Sequence, residues 1–158
     1  MKEFFTPFVT GFQAVCGGDV LKMCKSSELE LIICGTESVG LDFTELQNGT
    51  QYDGGYDSSH PTIMFIIFNV SWFWEIVHSW ALKQKKCLLS FVTSSDRVPL
   101  GGLGELMFVI QRNGPDTDRL PSSLTCFGRL LLPEYDSKEK IEIKLVTAIQ
   151  NAHGFGLV

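Results

Sequence analysis

Positive charge is scarce in this chain: thirteen Lys and Arg face eighteen Asp and Glu, leaving a formal net charge of -5 and a pI near 5.1. Recognition of phosphate needs clustered cations, so nucleic acid is not an expected partner. The densest basic run, Lys83 to Lys86, contains three lysines and reads as a solvated helix face. No C-x-x-C pair occurs among the five cysteines, at 16, 24, 34, 87 and 126, and their odd number fits a reducing compartment, the cytoplasm or nucleus. Histidines 60, 78 and 153 lack any H-E-x-x-H spacing, so no metal is expected. Gly101-Gly102-Leu103-Gly104 lacks the G-x-G-x-x-G spacing that cradles a pyrophosphate, and no organic cofactor is expected either.

No secretory leader is expected in the first residues either, because Glu3 and Pro7 interrupt the early apolar stretch. Ser58 through Trp74 carries no charge, but its most apolar part, Thr62 to Trp74, is shorter than the ~20 residues a spanning helix needs. It reads as a buried helix or strand, with membrane association the lesser alternative.

What is present is a mixed pattern of helices and short strands, with 44% apolar residues, enough for one ordinary domain and a second, partial unit. Ser27 and Glu30 form a capping-box pattern for a helix over 27–34, which Gly35 ends. Thr36 to Gly40 is small and flexible, a candidate hinge, and Asp42 caps a helix over 43–47. Gln47 to His60 has turn chemistry and is expected as an exposed loop. A long apolar element follows Pro61, then a helix over 81–92. Strands are expected at 107–111 and 128–132, with a polar loop over 112–121. Asp136 and Glu139 form a capping box for a final helix with Ile141, Leu145, Ala148, Ile149 and Ala152 on its apolar face, and Gly154 as its stop.

Cys126 lies between a proline-started loop and a leucine run, a place where a thiolate can be held at a surface. On residue types alone, a cysteine between Thr125 and Phe127 is more often a packing residue, and a partnership with one of the histidines stays open. Cysteines 16, 24, 34 and 87 read as small core hydrophobes.

Several stretches alter that balance. Phe8-Val9-Thr10-Gly11-Phe12, Glu28 to Gly35, Tyr52-Asp53-Gly54-Gly55-Tyr56 and Phe73 to His78 are followed by Asp96-Arg97-Val98-Pro99, Gly101 to Gly104 and Asn113 to Thr117. Leu120-Pro121, Thr125-Cys126-Phe127, Leu130 to Tyr135 and Ser137 to Lys140 continue the series. In this order they resemble the end of a HECT-type ubiquitin-protein ligase, over nearly the whole chain. The resemblance implies an α+β carboxyl-terminal catalytic lobe at 41–158, with a small sheet and surrounding helices. It is preceded at 1–40 by the last helices of an amino-terminal lobe and a hinge. Cys126 matches the family thiol, which accepts ubiquitin as a glycyl thioester from a conjugating enzyme and passes it to a substrate lysine. Thr125 matches the supporting residue beside it, and Phe155 matches a tail aromatic that orients the lobes.

Against the family pattern, Leu124 stands where His is usual, Gly128 where Asn is usual, and Ser94 or Ser95 where Gly is favoured. About seven extra apolar residues occupy the region around Met64 to Ser71. Part of the amino-terminal lobe, where the conjugating enzyme is gripped, has no counterpart in these residues. These departures carry the alternative reading of a truncated, non-catalytic module that binds ubiquitin or a ligase.

Overall fold

The computed structural model describes residues 2–17, 19–37, 40–54 and 63–152. It divides into two compact units, 1–35 and 36–158. The first holds helices α1 (Lys2–Cys16), α2 (Asp19–Lys22) and α3 (Ser26–Cys34). The cap of α3 falls earlier than the Ser27 and Glu30 pattern suggests: the Glu28 carboxylate accepts from the Lys25 N–H at 2.7 Å. Lysine has donors only, so the return half of a capping box is all that forms there. Gly35 ends the helix in left-handed backbone, φ 77°, with its N–H on the Leu31 carbonyl.

None of the nine residues of α3 is buried, and Cys16 and Cys34 are exposed. Cys24 and Cys87 are only part-buried. The expectation that these cysteines are core residues is therefore corrected for Cys16, Cys24 and Cys34 and met only in part by Cys87. A unit of 35 residues encloses too little volume to bury the first three, and Cys87 packs against the core only in part, beside the buried Leu88 and Leu89.

The second unit begins with Thr36, which exchanges backbone hydrogen bonds with Val98 at 2.8 and 3.1 Å. Helix α4 (Phe43–Gly49) is capped by Asp42, whose carboxylate accepts the Thr44 N–H at 2.8 Å. The exposed loop expected over 47–60 is corrected in its first half. Gln47 to Gly49 complete α4, and Gln51–Asp53 form strand β1. Turn-rich composition yields here to a ladder with a partner far along the chain; residues 55–60 lie outside the described residues.

Helix α5 (Ile63–Ser79) takes the apolar segment, and Pro61, its expected start, is also outside the described residues. Phe73, Ile76, Val77 and Trp80 repeat at helical spacing and are buried. Phe68 is exposed, whereas Asn69 is fully buried and accepts the Tyr135 N–H at 3.0 Å. Among the described residues no helix is long and apolar enough to cross a membrane. Helix α6 (Leu82–Thr93) adds Leu88, Leu89 and Val92 to the core. Its lysine run is not uniformly solvated: Lys85 is half-buried with its ammonium 5.4 Å from the centre of the Phe43 ring.

Strands β2 (Val109–Arg112), β3 (Ser122–Leu124) and β4 (Arg129–Leu132) complete a sheet of order β1-β2-β4-β3. β1, β2 and β4 are parallel, and β3 runs antiparallel on the β4 edge. Residues paired across the sheet share a face. Tyr52, Ile110, Leu130 and Ser123 therefore lie on the core side, while Gln51, Val109, Arg129 and Leu124 lie on the outer side.

Helix α7 (Lys138–Asn151) closes the core with Ile141, Leu145, Ala148 and Ile149, as its periodicity predicts; Ala152 is exposed. Its cap is Ser137, whose hydroxyl accepts the Lys140 N–H at 3.3 Å, rather than Asp136. Gly154, the expected stop, lies outside the described residues. The second unit has the expected α+β architecture, with helices packed on a small four-stranded sheet.

Candidate active site

The loop that delivers the chain to β3 is tied at several points. The Asn113 N–H reaches the Leu132 carbonyl at 2.9 Å, and the Glu134 N–H reaches that of Gly114 at 3.1 Å. Arg112 pairs with Glu134 at 2.8 Å. Lys140 donates to both Asp116 oxygens at 2.9 and 2.8 Å, and the Tyr135 hydroxyl donates to the Arg119 carbonyl at 2.6 Å. The Lys140 hydrogen bond, foremost, holds the Asp116 carboxyl below its ordinary value, and the same pair raises the Lys140 ammonium. Burial, first, and the nearby Asp116 charge push the Tyr135 phenol well above its ordinary range.

From β3 the chain turns through Thr125, Cys126, Phe127 and Gly128 into β4. Leu124 pairs with Arg129, so this is a four-residue hairpin loop. Thr125 to Phe127 form one 3-10 turn, closed by the Gly128 N–H on the Thr125 carbonyl at 3.3 Å. Gly128 is left-handed at φ 56°, ψ 33°, and its carbonyl accepts the Val109 N–H at 3.0 Å. A Cβ at this position would lie 1.9 Å from the Met107 carbonyl oxygen. Only glycine fits so close to the entrance of β2.

Cys126 is exposed on this hairpin. Phe127, at 65%, and Leu124, at 45%, expose apolar side chains on either side of it, and Met107 is also exposed. Arg129, one residue beyond Gly128, bonds Asp53 at 2.5 Å and Gln111 at 2.7 Å across the outer sheet face. Thr125 is part-buried beside the thiol. Phe155 and histidines 60 and 153 lie outside the described residues, so only Cys126 and Thr125 are seen together. His78 is taken up by Gln47 at 2.7 Å. Among the described residues, no group of three His, Cys, Asp or Glu side chains is arranged to hold a metal ion.

Two features escape inspection of the sequence. Ser123, on the core side of β3, donates its hydroxyl to the Phe91 carbonyl of α6 at 2.6 Å. The approach of Gly128 to Met107 is the other. A three-residue strand shows no readable alternation, so nothing marks Ser123 as inward-facing; Gly128 is marked only by the family's habit of placing Asn there.

The fold and the site together define a class, an α+β unit that displays a thiol on an edge hairpin with exposed apolar neighbours. The HECT-domain (ubiquitin-transferase) family matches residues 1–158. The chain belongs to this family. The mouse (Mus musculus) probable E3 ubiquitin-protein ligase HECTD2 is 41% identical over 153 residues, 97% of this chain and 18% of that protein. The human (Homo sapiens) probable E3 ubiquitin-protein ligase HERC4 is 41% identical over 158 residues, 100% of this chain and 14% of that protein. The probable E3 ubiquitin-protein ligase HUL4 of Eremothecium gossypii is 40% identical over 152 residues, 96% of this chain and 17% of that protein. The chain thus spans less than a fifth of the length of these relatives.

Proposed function

We propose that this chain is the thiol-bearing part of a ubiquitin-protein ligase, in which Cys126 accepts ubiquitin from a conjugating enzyme and passes it to a substrate lysine. The single observation that carries the reading is an exposed Cys126 at the tip of the β3–β4 hairpin, within a chain matched throughout by the HECT family. The Cys126 thiolate attacks the carbonyl carbon of the ubiquitin thioester. A new C–S bond forms, and the conjugating enzyme's thiolate leaves and takes up a proton. Exchanging one thioester for another is nearly isoenergetic, so the acyl group stays activated with no cofactor. A substrate amine then attacks the same carbon, an amide forms, the amine sheds a proton, and Cys126 is released as thiol.

In this reading Thr125 supports the loop or the thioester carbonyl, and Phe155 orients the lobes during transfer. Residues 1–40 are the end of the amino-terminal lobe and its hinge, 41–158 the catalytic lobe, and the protein works in the cytoplasm or nucleus. Among family members we read the motif wording as nearest to the E6-associated protein.

The test is to mix the chain with ubiquitin-charged conjugating enzyme and resolve the products without reductant. A ubiquitin adduct that thiols cleave, and that Cys126→Ala abolishes, is the expected result. An adduct that survives Cys126→Ala refutes the nucleophile. One observation favours a second reading: Leu124 holds an exposed apolar side chain where the family places His. A non-catalytic ubiquitin- or ligase-binding module would bind without transfer, and Leu124→His would still form no thioester.

A further inference from the structure

We propose that Ser123 is a positioning residue for Cys126, a role that rests on the reading of Cys126 as the nucleophile. The reason lies at the end of α6. The carbonyl of Phe91 sits in the last turn, where the regular helical partner would be the N–H of Ser95. That N–H is diverted to the Thr93 hydroxyl at 3.2 Å, because Ser94 turns the chain away in left-handed backbone, φ 62°. The Phe91 carbonyl is left for another donor, and the Ser123 hydroxyl supplies it at 2.6 Å.

β3 is an edge strand of three residues, paired on one side with β4. Its attachment to the helical layer includes this single side-chain hydrogen bond, three residues ahead of Cys126. At the far end of the hairpin, Gly128 is locked against Met107 and bonded to Val109. The thiol is therefore suspended between two fixed points, one on β2 and the other on α6. Removing the hydroxyl loosens the near end from α6 and leaves it held by the β4 ladder. Cys126 stays exposed but explores more positions, and the fraction aligned on an incoming thioester carbonyl falls.

The experiment compares the full chain with Ser123→Ala and Ser123→Thr, using ubiquitin carried as the thioester of a small thiol so that docking of a conjugating enzyme plays no part. Ser123→Ala is expected to lower the maximal rate of transfer to Cys126 roughly tenfold without moving the half-saturating concentration, and Ser123→Thr to restore it within about threefold. Alkylation of Cys126 by iodoacetamide, followed peptide by peptide against Cys34, is expected to stay within about twofold, since access to a small electrophile does not depend on alignment. Amide hydrogen exchange at 124–128 is expected to accelerate in Ser123→Ala, with α5 and α7 unchanged. Parent-like transfer by Ser123→Ala, failure of Thr to restore it, or unchanged exchange at 124–128 overturns the positioning role while leaving Cys126 in place. An adduct that persists in Cys126→Ala overturns both readings.

Discussion

Gly128 is the position at which the backbone of the thiol hairpin is held most closely, and replacing it separates two physical effects. Its φ of 56° costs an ordinary L-residue ~1–2 kcal/mol, a term that Asn largely escapes. The second effect is contact. Any Cβ would lie 1.9 Å from the Met107 carbonyl oxygen and 3.2 Å from its carbon, roughly 1.5 Å inside ordinary contact. Relief requires the hairpin to part from the entrance of β2, which strains the hydrogen bond from the Val109 N–H, worth about 1 kcal/mol. Overpacking of this kind adds ~1–3 kcal/mol. Gly128→Ala is therefore expected to destabilise by ~3–6 kcal/mol, and Gly128→Asn by ~2–4 kcal/mol, since the Cβ contact is common to both. Urea unfolding followed by tryptophan fluorescence reads this directly, because Trp74 and Trp80 are buried. An Asn variant within about 0.5 kcal/mol of the parent would show that the dihedral alone governs the position, and the contact argument would fail.

Two further perturbations test the surroundings of the hairpin. Ser94 is the one non-glycine residue with positive φ among those described, and it is exposed, so Ser94→Gly is expected to raise stability by ~1 kcal/mol in the same urea assay; a lowered midpoint would contradict it. Asp116, held below its ordinary 3.8 by Lys140, stabilises the fold above the unfolded carboxyl's pKa, and that contribution is lost as pH falls through the folded value. Asp116→Asn is accordingly expected to flatten the acid limb of a stability-against-pH curve below about pH 4, and an unchanged limb would show that the pair does nothing for folding. At the alkaline end the same pair raises Lys140 above 10.5, so its contribution is whole below that pH and declines as pH rises through the folded value.

The parts of this fold that are legible in the sequence are those whose determinants lie within a few residues of one another. Ile141, Leu145, Ala148 and Ile149 mark the buried side of α7 by spacing alone, and Asp42 announces α4 through a bond to a residue two positions on. β1 is hidden for the opposite reason. Gln51, Tyr52 and Asp53 have the composition of a turn, and they become a strand because β2, more than fifty residues later, offers a free ladder. The thiol shows the same division more sharply. Cys126 stands out as a candidate only through the ordered family motifs, since its residue type and neighbours alone read as packing. The means of holding it are not, because Ser123 finds its acceptor 32 residues away, and that acceptor is vacant only because Ser94 ends α6 in a left-handed turn. Changes at 94 and 123 should therefore be coupled although the two side chains serve different elements. If Ser94→Gly keeps the same turn, Ser123 retains its acceptor and the hairpin its alignment. A residue at 94 that instead lets α6 continue would return the Phe91 carbonyl to the helix, and Cys126 transfer would then fall as it does in Ser123→Ala.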